Sequence, residues 1–494
     1  MSLVRRLPFA ALFLVLGGAL CAAEPADKNS PLPAEVSYFK DVRPILQQHC
    51  QGCHQPAKAQ GSFVMTSRAD MLKKGDSDKP GIVPGKPDAS HLVELITPHN
   101  GKPPSMPRGK DALIGRDVKL IEKWIAQGAK DDSPASAHEV VDADHPPVYT
   151  LPPVLSAIAY SPDGKLLAVS GYHEVLLHKA DGSALVGRLV GLSERIQSIA
   201  FSPDGKLLAV AGGAPCRFGE IQVWDVAKRK LKLSVPTTFD TVYGVSWSPD
   251  GSKVAFGCSD NTLRAIDAAS GKQVLYQGAH NDWVLGTTFT SEGAYLVSVS
   301  RDRSMRLTEV ATQRFIDNVT SITPGALKDG LLTVARRPLK DKKMVKSPPD
   351  PTPHLYNEVL NAGADGTPRL YKVHREVKRV IGDDANRVRE YEPMLGRVFS
   401  VAWNADGTRF VAGSSLDGRG EARVYDVNTV KALAKLEGQH GPVYSVAYRP
   451  DGKQVASAGF DGVVRLNDPQ TGKLLKEFVP MPLTPAGVAR AGGK

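Results

Sequence analysis

Ile196-Gln197-Ser198-Ile199-Ala200-Phe201-Ser202-Pro203-Asp204-Gly205-Lys206-Leu207-Leu208-Ala209-Val210-Ala211-Gly212 joins an alternating run to a run of small apolar residues through a tight turn. Alternation on one side, Pro-Asp-Gly in the middle and β-formers on the other side describe two antiparallel strands. The tetrad recurs as Ser161-Pro162-Asp163-Gly164, Ser248-Pro249-Asp250-Gly251, Thr290-Ser291-Glu292-Gly293, Asn404-Ala405-Asp406-Gly407 and Arg449-Pro450-Asp451-Gly452. From Gly164 to Gly293 the terminal glycines fall 41, 46 and 42 residues apart, and the last two are 45 apart. Short strands at a period of 40–45 residues are the mark of propeller blades. A third strand ends near Asp in each copy, as in Ile221-Gln222-Val223-Trp224-Asp225.

The interval between Gly293 and Gly407 holds one degenerate copy. Lys328-Asp329-Gly330 replaces its first turn, and Val359 to Gly366 echoes Val455 to Gly462. That makes seven blades over 154–483, with an insertion near 336–356. A single blade cannot bury both sheet faces, whereas a closed ring can. Either Leu474 to Val479 closes the ring by itself or Val148 to Leu151 contributes.

These repeats resemble the WD40 family over about two-thirds of the chain. Trp224-Asp225 gives the name dipeptide, which degrades elsewhere to Tyr425-Asp426, Ile266-Asp267 and Asn467-Asp468. The resemblance implies buried His–Asp pairs, which His280 with Asp302 and His440 with Asp461 would match.

Composition sets the outer bounds. With 41% hydrophobic and 23% charged residues among 494, the chain is an ordinary globular protein of several domains. At 6% aromatics, broad base-stacking surfaces are not expected. The net charge is +10, and removal of Arg5 and Arg6 leaves 60 basic against 52 acidic side chains. A surplus of eight suits an acidic partner or surface and does not require nucleic acid.

Arg5-Arg6, the apolar run Leu7 to Leu20 and Cys21-Ala22-Ala23 read as a cleaved signal peptide over 1–23. No other stretch is long and apolar enough to cross a bilayer. The mature chain is therefore expected outside the cytoplasm, in the periplasm or beyond, without a transmembrane span.

Helical periodicity occupies 33–132. Phe39, Val42, Ile45 and Leu46 share one face, as do Val118, Ile121, Trp124 and Ile125, and Gly128 suits a left-handed stop. Residues 133–153, with Pro134, Pro146, Pro147, Pro152 and Pro153, read as a stiff linker, and 484–494 as a flexible tail.

Cys50-Gln51-Gly52-Cys53-His54 is a C-x-x-C-H pentapeptide, the attachment sequence of one c-type haem. Two cysteine sulfurs would add across the porphyrin vinyls, and His54 would supply the fixed axial nitrogen to iron. Attachment on the outer side of the membrane agrees with the leader. A zinc half-site lacks a second ligand pair at suitable spacing, and a thioredoxin-like redox pair wants a preceding strand where Pro44 to His49 reads as helix. For the sixth ligand, Met106 lies in the extended Pro103-Pro104-Ser105-Met106-Pro107. His91, expected on an exposed helix face, His99 and Met65 are the alternatives.

This region resembles the planctomycete-type cytochrome c domain over about 36–132. The matching stretches are Phe39 to Leu46, the attachment motif, Gly81 to Asp88 and Lys123 to Ala129. The resemblance implies a small all-α cytochrome c domain, here followed by an all-β seven-bladed WD40-like propeller. Where that family has Met-Pro-Pro, this sequence reads Met106-Pro107-Arg108, which keeps the ligand and adds a cation near the haem edge.

The expected function is one-electron transfer by an exported monohaem cytochrome, with the propeller as a docking scaffold for redox partner proteins. The alternative is a redox enzyme with an active centre in the propeller, although His173, His178, His280, His354, His374 and His440 show no local metal-ligand spacing. The basic run Arg336, Arg337, Lys340, Lys342, Lys343 and Lys346 reads as a solvated loop. Oxidising surroundings permit a bridge between Cys216 and Cys258, which otherwise read as thiols.

Overall fold

The Ser-Pro-Asp-Gly turns close on themselves. Ser202 Oγ accepts from Leu207 N at 2.9 Å and donates to Asp204 Oδ1 at 2.7 Å, while Asp204 Oδ1 accepts from Lys206 N. Gly205 supplies the positive φ of 72°. The same pattern recurs around Ser161–Leu166 and Ser248–Lys253. Each turn thus meets its own polar demand and fixes the register of the two strands it joins.

The computed structural model describes residues 31–484 except 57, 100, 109–110, 135–140, 279, 322–328, 348–349, 379 and 381. The expected leader (1–23) and 485–494 of the expected tail lie outside the described residues, while Thr484, the first residue of that tail, donates its N–H to Tyr149 O at 2.8 Å. Among those described, no helix is long and apolar enough to cross a membrane.

Seven four-stranded antiparallel sheets follow one another along the chain. Their innermost strands are Ile158–Tyr160, Arg195–Phe201, Val242–Trp247, Val284–Phe289, Leu331–Arg336, Arg397–Trp403 and Val443–Tyr448, and each contacts the next around a closed ring. Blade 5 is the degenerate one. Its insertion is a hairpin, Met344–Ser347 with Asp350–Leu355, set between its first and second strands. The basic run there is only partly a solvated loop. Arg337 pairs with Glu358 at 2.6 Å and donates to Gly407 O, and burial holds the Arg336 guanidinium below its usual pKa.

Leu474–Phe478 completes blade 7 by pairing with Val464–Asn467, so each of the seven sheets is built from one continuous segment. Tyr149 adds one parallel bridge to Leu483. Ile158 N donates to Ser445 Oγ, and His178 bonds Pro480 O, across the joint between blades 7 and 1. Arg188 clasps Glu174 through Nε at 2.6 Å and Nη2 at 2.7 Å, Tyr149 OH donates to Glu174 at 2.8 Å, and Arg188 also holds Pro147 O. The last residues of the linker are therefore part of the ring.

The histidine pairing holds in one blade and fails in another. His280 Nδ1 lies 3.0 Å from Asp302 Oδ2, and its Nε2 lies 2.8 Å from Ser298 Oγ. In blade 7, His440 is exposed and Asp461 pairs with Arg465 at 2.7 Å. Gln439 reaches Ser457 Oγ at 3.0 Å instead. Gln439 and His280 both stand four residues before their inner strands, and His440 stands three.

The N-terminal unit is helix-bearing and loop-rich. The expected all-α domain is replaced by a π-helical turn, Tyr38–Val42, and four short helices: α1 Arg43–His49, α2 Arg68–Met71, α3 His91–Ile96 and α4 Gly115–Ala126, with a two-residue hairpin, His54–Gln55 with Lys58–Ala59. Val42, Ile45, Leu46, Ile121, Trp124 and Ile125 meet in one core. Tyr38 rather than Phe39 joins them, stacked 5.2 Å from Trp124, because the wider π turn advances the buried face by one position.

Candidate functional site

Helix α1 ends at His49, and the C-x-x-C-H motif follows at once. Cys50 N and Gln51 N donate to Leu46 O, and His54 N donates to Cys50 O at 3.1 Å, so the pentapeptide coils as one turn. Gln51 reaches back to Met65 O at 2.8 Å and Gln55 to Gln51 O, closing the loop behind the cysteines. Cys50 and Cys53 are half-buried thiols.

His54 Nδ1 lies 3.2 Å from Phe63 O. That contact places the ring proton on Nδ1 and leaves Nε2 as the lone-pair nitrogen, the usual arrangement for a metal-binding imidazole. Burial holds the His54 pKa below its ordinary value despite the carbonyls of Phe63 and Gln60. The Phe63 ring stands edge-on at 5.9 Å.

Met106 is half-buried against the same core, and its N–H donates to Leu95 O in α3 at 3.0 Å. Cys50, Cys53, His54 and Met106 all line one cavity of about 350 Å³. Such a volume lies within the ~300–1,000 Å³ range of cofactor pockets. Phe63, Leu92, Leu95 and Ile96 give it apolar walls, and Arg108 stands at the rim. Two thiols, one imidazole with Nδ1 engaged and one thioether around an apolar cavity form the donor set a covalently attached haem takes. The residues present fit that group.

Of the alternative sixth ligands, Met65 is 2% exposed in the core and also borders the cavity. His91 is half-buried, paired with Glu94 at 2.9 Å, and lines the cavity instead of lying on an exposed face. His99 is exposed and bonds Thr97 and Glu94 O.

One further member of the site leaves no mark in the local sequence. A Cβ at Gly52 would stand 2.5 Å from Ser234 O and 3.0 Å from Pro236 Cδ. The motif is therefore seated on the outermost strand of blade 2, Lys230–Thr238. Its partners are far apart in the chain, so no spacing rule points from one to the other.

The propeller histidines are dispersed. His178 and His280 are buried in the pairs described, His173 bonds Gly191 O, and His354 and His374 stack at 4.3 Å beside Tyr295. Among the described residues no cluster of three or more His, Cys, Asp or Glu could hold a metal ion. Cys258 is buried and Cys216 exposed, and both are thiols.

Fold and site together define a seven-bladed β-propeller with a small N-terminal unit bearing a C-x-x-C-H loop. Residues 50–108 match the family model described as Planctomycete cytochrome C, and 183–225 and 430–468 match the WD domain, G-beta repeat. Residues 214–292 match the Anaphase-promoting complex subunit 4 WD40 domain. Among curated proteins, the Serine-threonine kinase receptor-associated protein of Gallus gallus is 23% identical over 248 residues, 47% of this chain and 68% of that protein. Its counterpart of the same name in Mus musculus is 24% identical over 247 residues, again 47% of this chain and 68% of that protein. Periodic tryptophan protein 2 of Arabidopsis thaliana is 25% identical over 263 residues, 52% of this chain and 25% of that protein. This chain thus spans a quarter of the length of the last.

Proposed function

We propose that this chain is an exported c-type cytochrome with a single haem, working in one-electron transfer, and that its propeller is the scaffold on which redox partner proteins dock. The observation that carries the reading is the convergence of Cys50, Cys53, His54 and Met106 on one apolar cavity. Cys50 and Cys53 would hold the haem by thioether bonds, and His54 and Met106 would ligate its iron. Bound there, a haem supplies a ferrous–ferric couple for single electrons.

The chain's own residues set the conditions. Phe63 O orients the His54 ring, Leu95 O anchors the Met106 segment, and the apolar walls exclude water, which with a thioether ligand favours a high potential. Arg108 at the rim and the surplus of basic side chains suit an acidic partner. The leader over 1–23 supports export, since attachment of this kind takes place outside the cytoplasm.

The test is to produce the chain in a host that matures c-type haem and to analyse the peptide containing Cys50 to His54 by mass spectrometry. The expected result is one porphyrin on that peptide and a low-spin reduced spectrum indifferent to carbon monoxide. An unmodified peptide overturns the reading.

A further inference from the structure

Glu220 is a carboxyl group sealed inside blade 2 directly behind the C-x-x-C-H loop. It is 1% exposed, on the third strand of that blade, Phe218–Asp225. Its Oε1 accepts from Ser193 Oγ and from Gln222 Nε2, both at 2.7 Å, and its Oε2 accepts from Ser234 Oγ. All three donors are neutral, and among the described residues no cation pairs with it. Burial raises the carboxyl pKa against the pull of these donors.

The residues that cover Glu220 are those on which the loop rests. Ser234 donates to Glu220 through its hydroxyl, and its carbonyl is the atom a Cβ at Gly52 would strike; Pro236, the other atom in that path, is Glu220's ladder partner. One strand of blade 2 therefore touches both the buried acid and the peptide between Cys50 and Cys53. A structural reading of Glu220, as a hydrogen-bond hub for Ser193, Gln222 and Ser234, explains its contacts but not why an acid is sealed there with no cation beside it among the described residues.

We propose that Glu220 couples proton release to electron loss at the adjacent centre, which makes the reduction potential fall as pH rises. This inference rests on the cytochrome reading above. On oxidation one electron leaves for an external one-electron acceptor, iron passes from ferrous to ferric, and the O–H bond of Glu220 breaks with its proton passing to water. Reduction reverses each change. The added positive charge stabilises the carboxylate, and the low dielectric of the blade interior keeps the interaction strong.

Other charged and titratable groups lie on the surrounding elements. Lys230 and Lys232 on the covering strand are exposed, Glu194 and Arg217 pair with each other, and Arg195 begins the inner strand of the blade. Arg43 and His49 sit at the two ends of α1, and Asp240 accepts from Thr241 N beyond the covering strand.

The test is a redox titration of the full-length holoprotein between pH 5 and 9, with haem content measured on every sample by its alkaline pyridine spectrum. In the wild type the midpoint potential should fall between two plateaus. A tenfold difference in Glu220 proton affinity between the two iron states separates them by about 59 mV. Glu220→Gln should abolish the step and stay near the low-pH plateau. Ser234→Ala, which removes one donor to the carboxylate, should move the step to higher pH, and Asp163→Asn in a distant turn should leave it unchanged. A flat wild-type profile overturns the inference. A step that survives Glu220→Gln does so too, and belongs to another titrating group, the haem's own propionates or His49 on the cavity wall. If Glu220→Gln does not accumulate, identical wild-type and Ser234→Ala profiles overturn it. A wild type carrying no haem overturns the cytochrome reading instead.

Discussion

Gly52 of the C-x-x-C-H loop stands so close to Ser234 of blade 2 that a Cβ on the first would lie 2.5 Å from the carbonyl oxygen of the second. The C-x-x-C-H loop is therefore one wall of the contact between the two units. Gly52→Ala should force the strand or the loop to move, at a cost of about 1–3 kcal/mol. Urea unfolding of the variant against wild type measures it, and an unchanged midpoint would show that the two units do not press together there.

On the cytochrome reading proposed above, Met106→Ala should leave the haem attached, since Cys50, Cys53 and His54 are untouched, but open the sixth position. The reduced variant is expected to bind carbon monoxide readily and to have a lower potential. A spectrum and potential like those of the wild type would transfer the ligand role to another residue, with His91 next in line because it also borders the cavity.

Acid should loosen blade 4 through His280 and Asp302. Burial holds the imidazole below its ordinary pKa, so below about pH 6.5 the unfolded chain takes up a proton that the folded one resists. Burial would raise the Asp302 carboxyl, but hydrogen bonds from His280, Ser304 and Asn281 N outweigh it and hold the pKa down, which adds acid lability below about pH 4. Both shifts have the same sign, and stability falls as pH falls. His280→Gln, which copies the arrangement of Gln439 and Ser457, should flatten the upper part of that decline in urea midpoints measured from pH 8 to 5.

Thiol labelling should separate the cysteines by environment. Cys258 is buried with its pKa pushed up to about 12 and should stay unlabelled in the native protein, whereas exposed Cys216 should react. Cys50 and Cys53 should label in protein made without haem maturation and be silent in the matured form. Labelling of both in matured protein would contradict thioether attachment.

Glu174→Ala should strip Arg188 of its buried partner and release Tyr149, with a loss of about 3–5 kcal/mol. Tyr149→Phe, which removes the hydroxyl's bonds to Glu174 and to the backbone of Tyr172, should cost about 1–3 kcal/mol. Thermal unfolding of the two variants orders the contributions, and equal losses would place the stability of the joint in the tyrosine alone.

The repeat was legible because the turn that marks it is local. Ser202, Asp204 and Gly205 satisfy one another within six residues, so the tetrad means the same thing wherever it stands. The C-x-x-C-H motif was legible for a similar reason, since one helical turn brings its residues together. Registers set by distant contacts were not. His440 in place of Gln439 and Phe39 in place of Tyr38 are each displaced by one residue, because the offset depends on where a strand begins or how wide a turn is wound. The seating of Gly52 on Ser234 joins positions far apart in sequence, which no local pattern encodes, and for the same reason the sequence left open whether Val148 to Leu151, where Tyr149 bridges Leu483, contributes to the ring. The apolar spacing marked α1 and α4, but the shortness of the helices and the extent of the loops between them escaped the reading, because that spacing marks which residues face inward and not how far a helix extends.

Because every blade draws all four of its strands from one unbroken segment, the order of blades around the axis is also the order of cutting points. Joining 484 to 154 through a short spacer and opening the chain between any two neighbouring blades would give rearranged polypeptides with the same strand pairings. The N-terminal unit, which precedes 154, would then be rejoined at the new start of the chain, so the opening point decides whether it stays beside the blade that supports it.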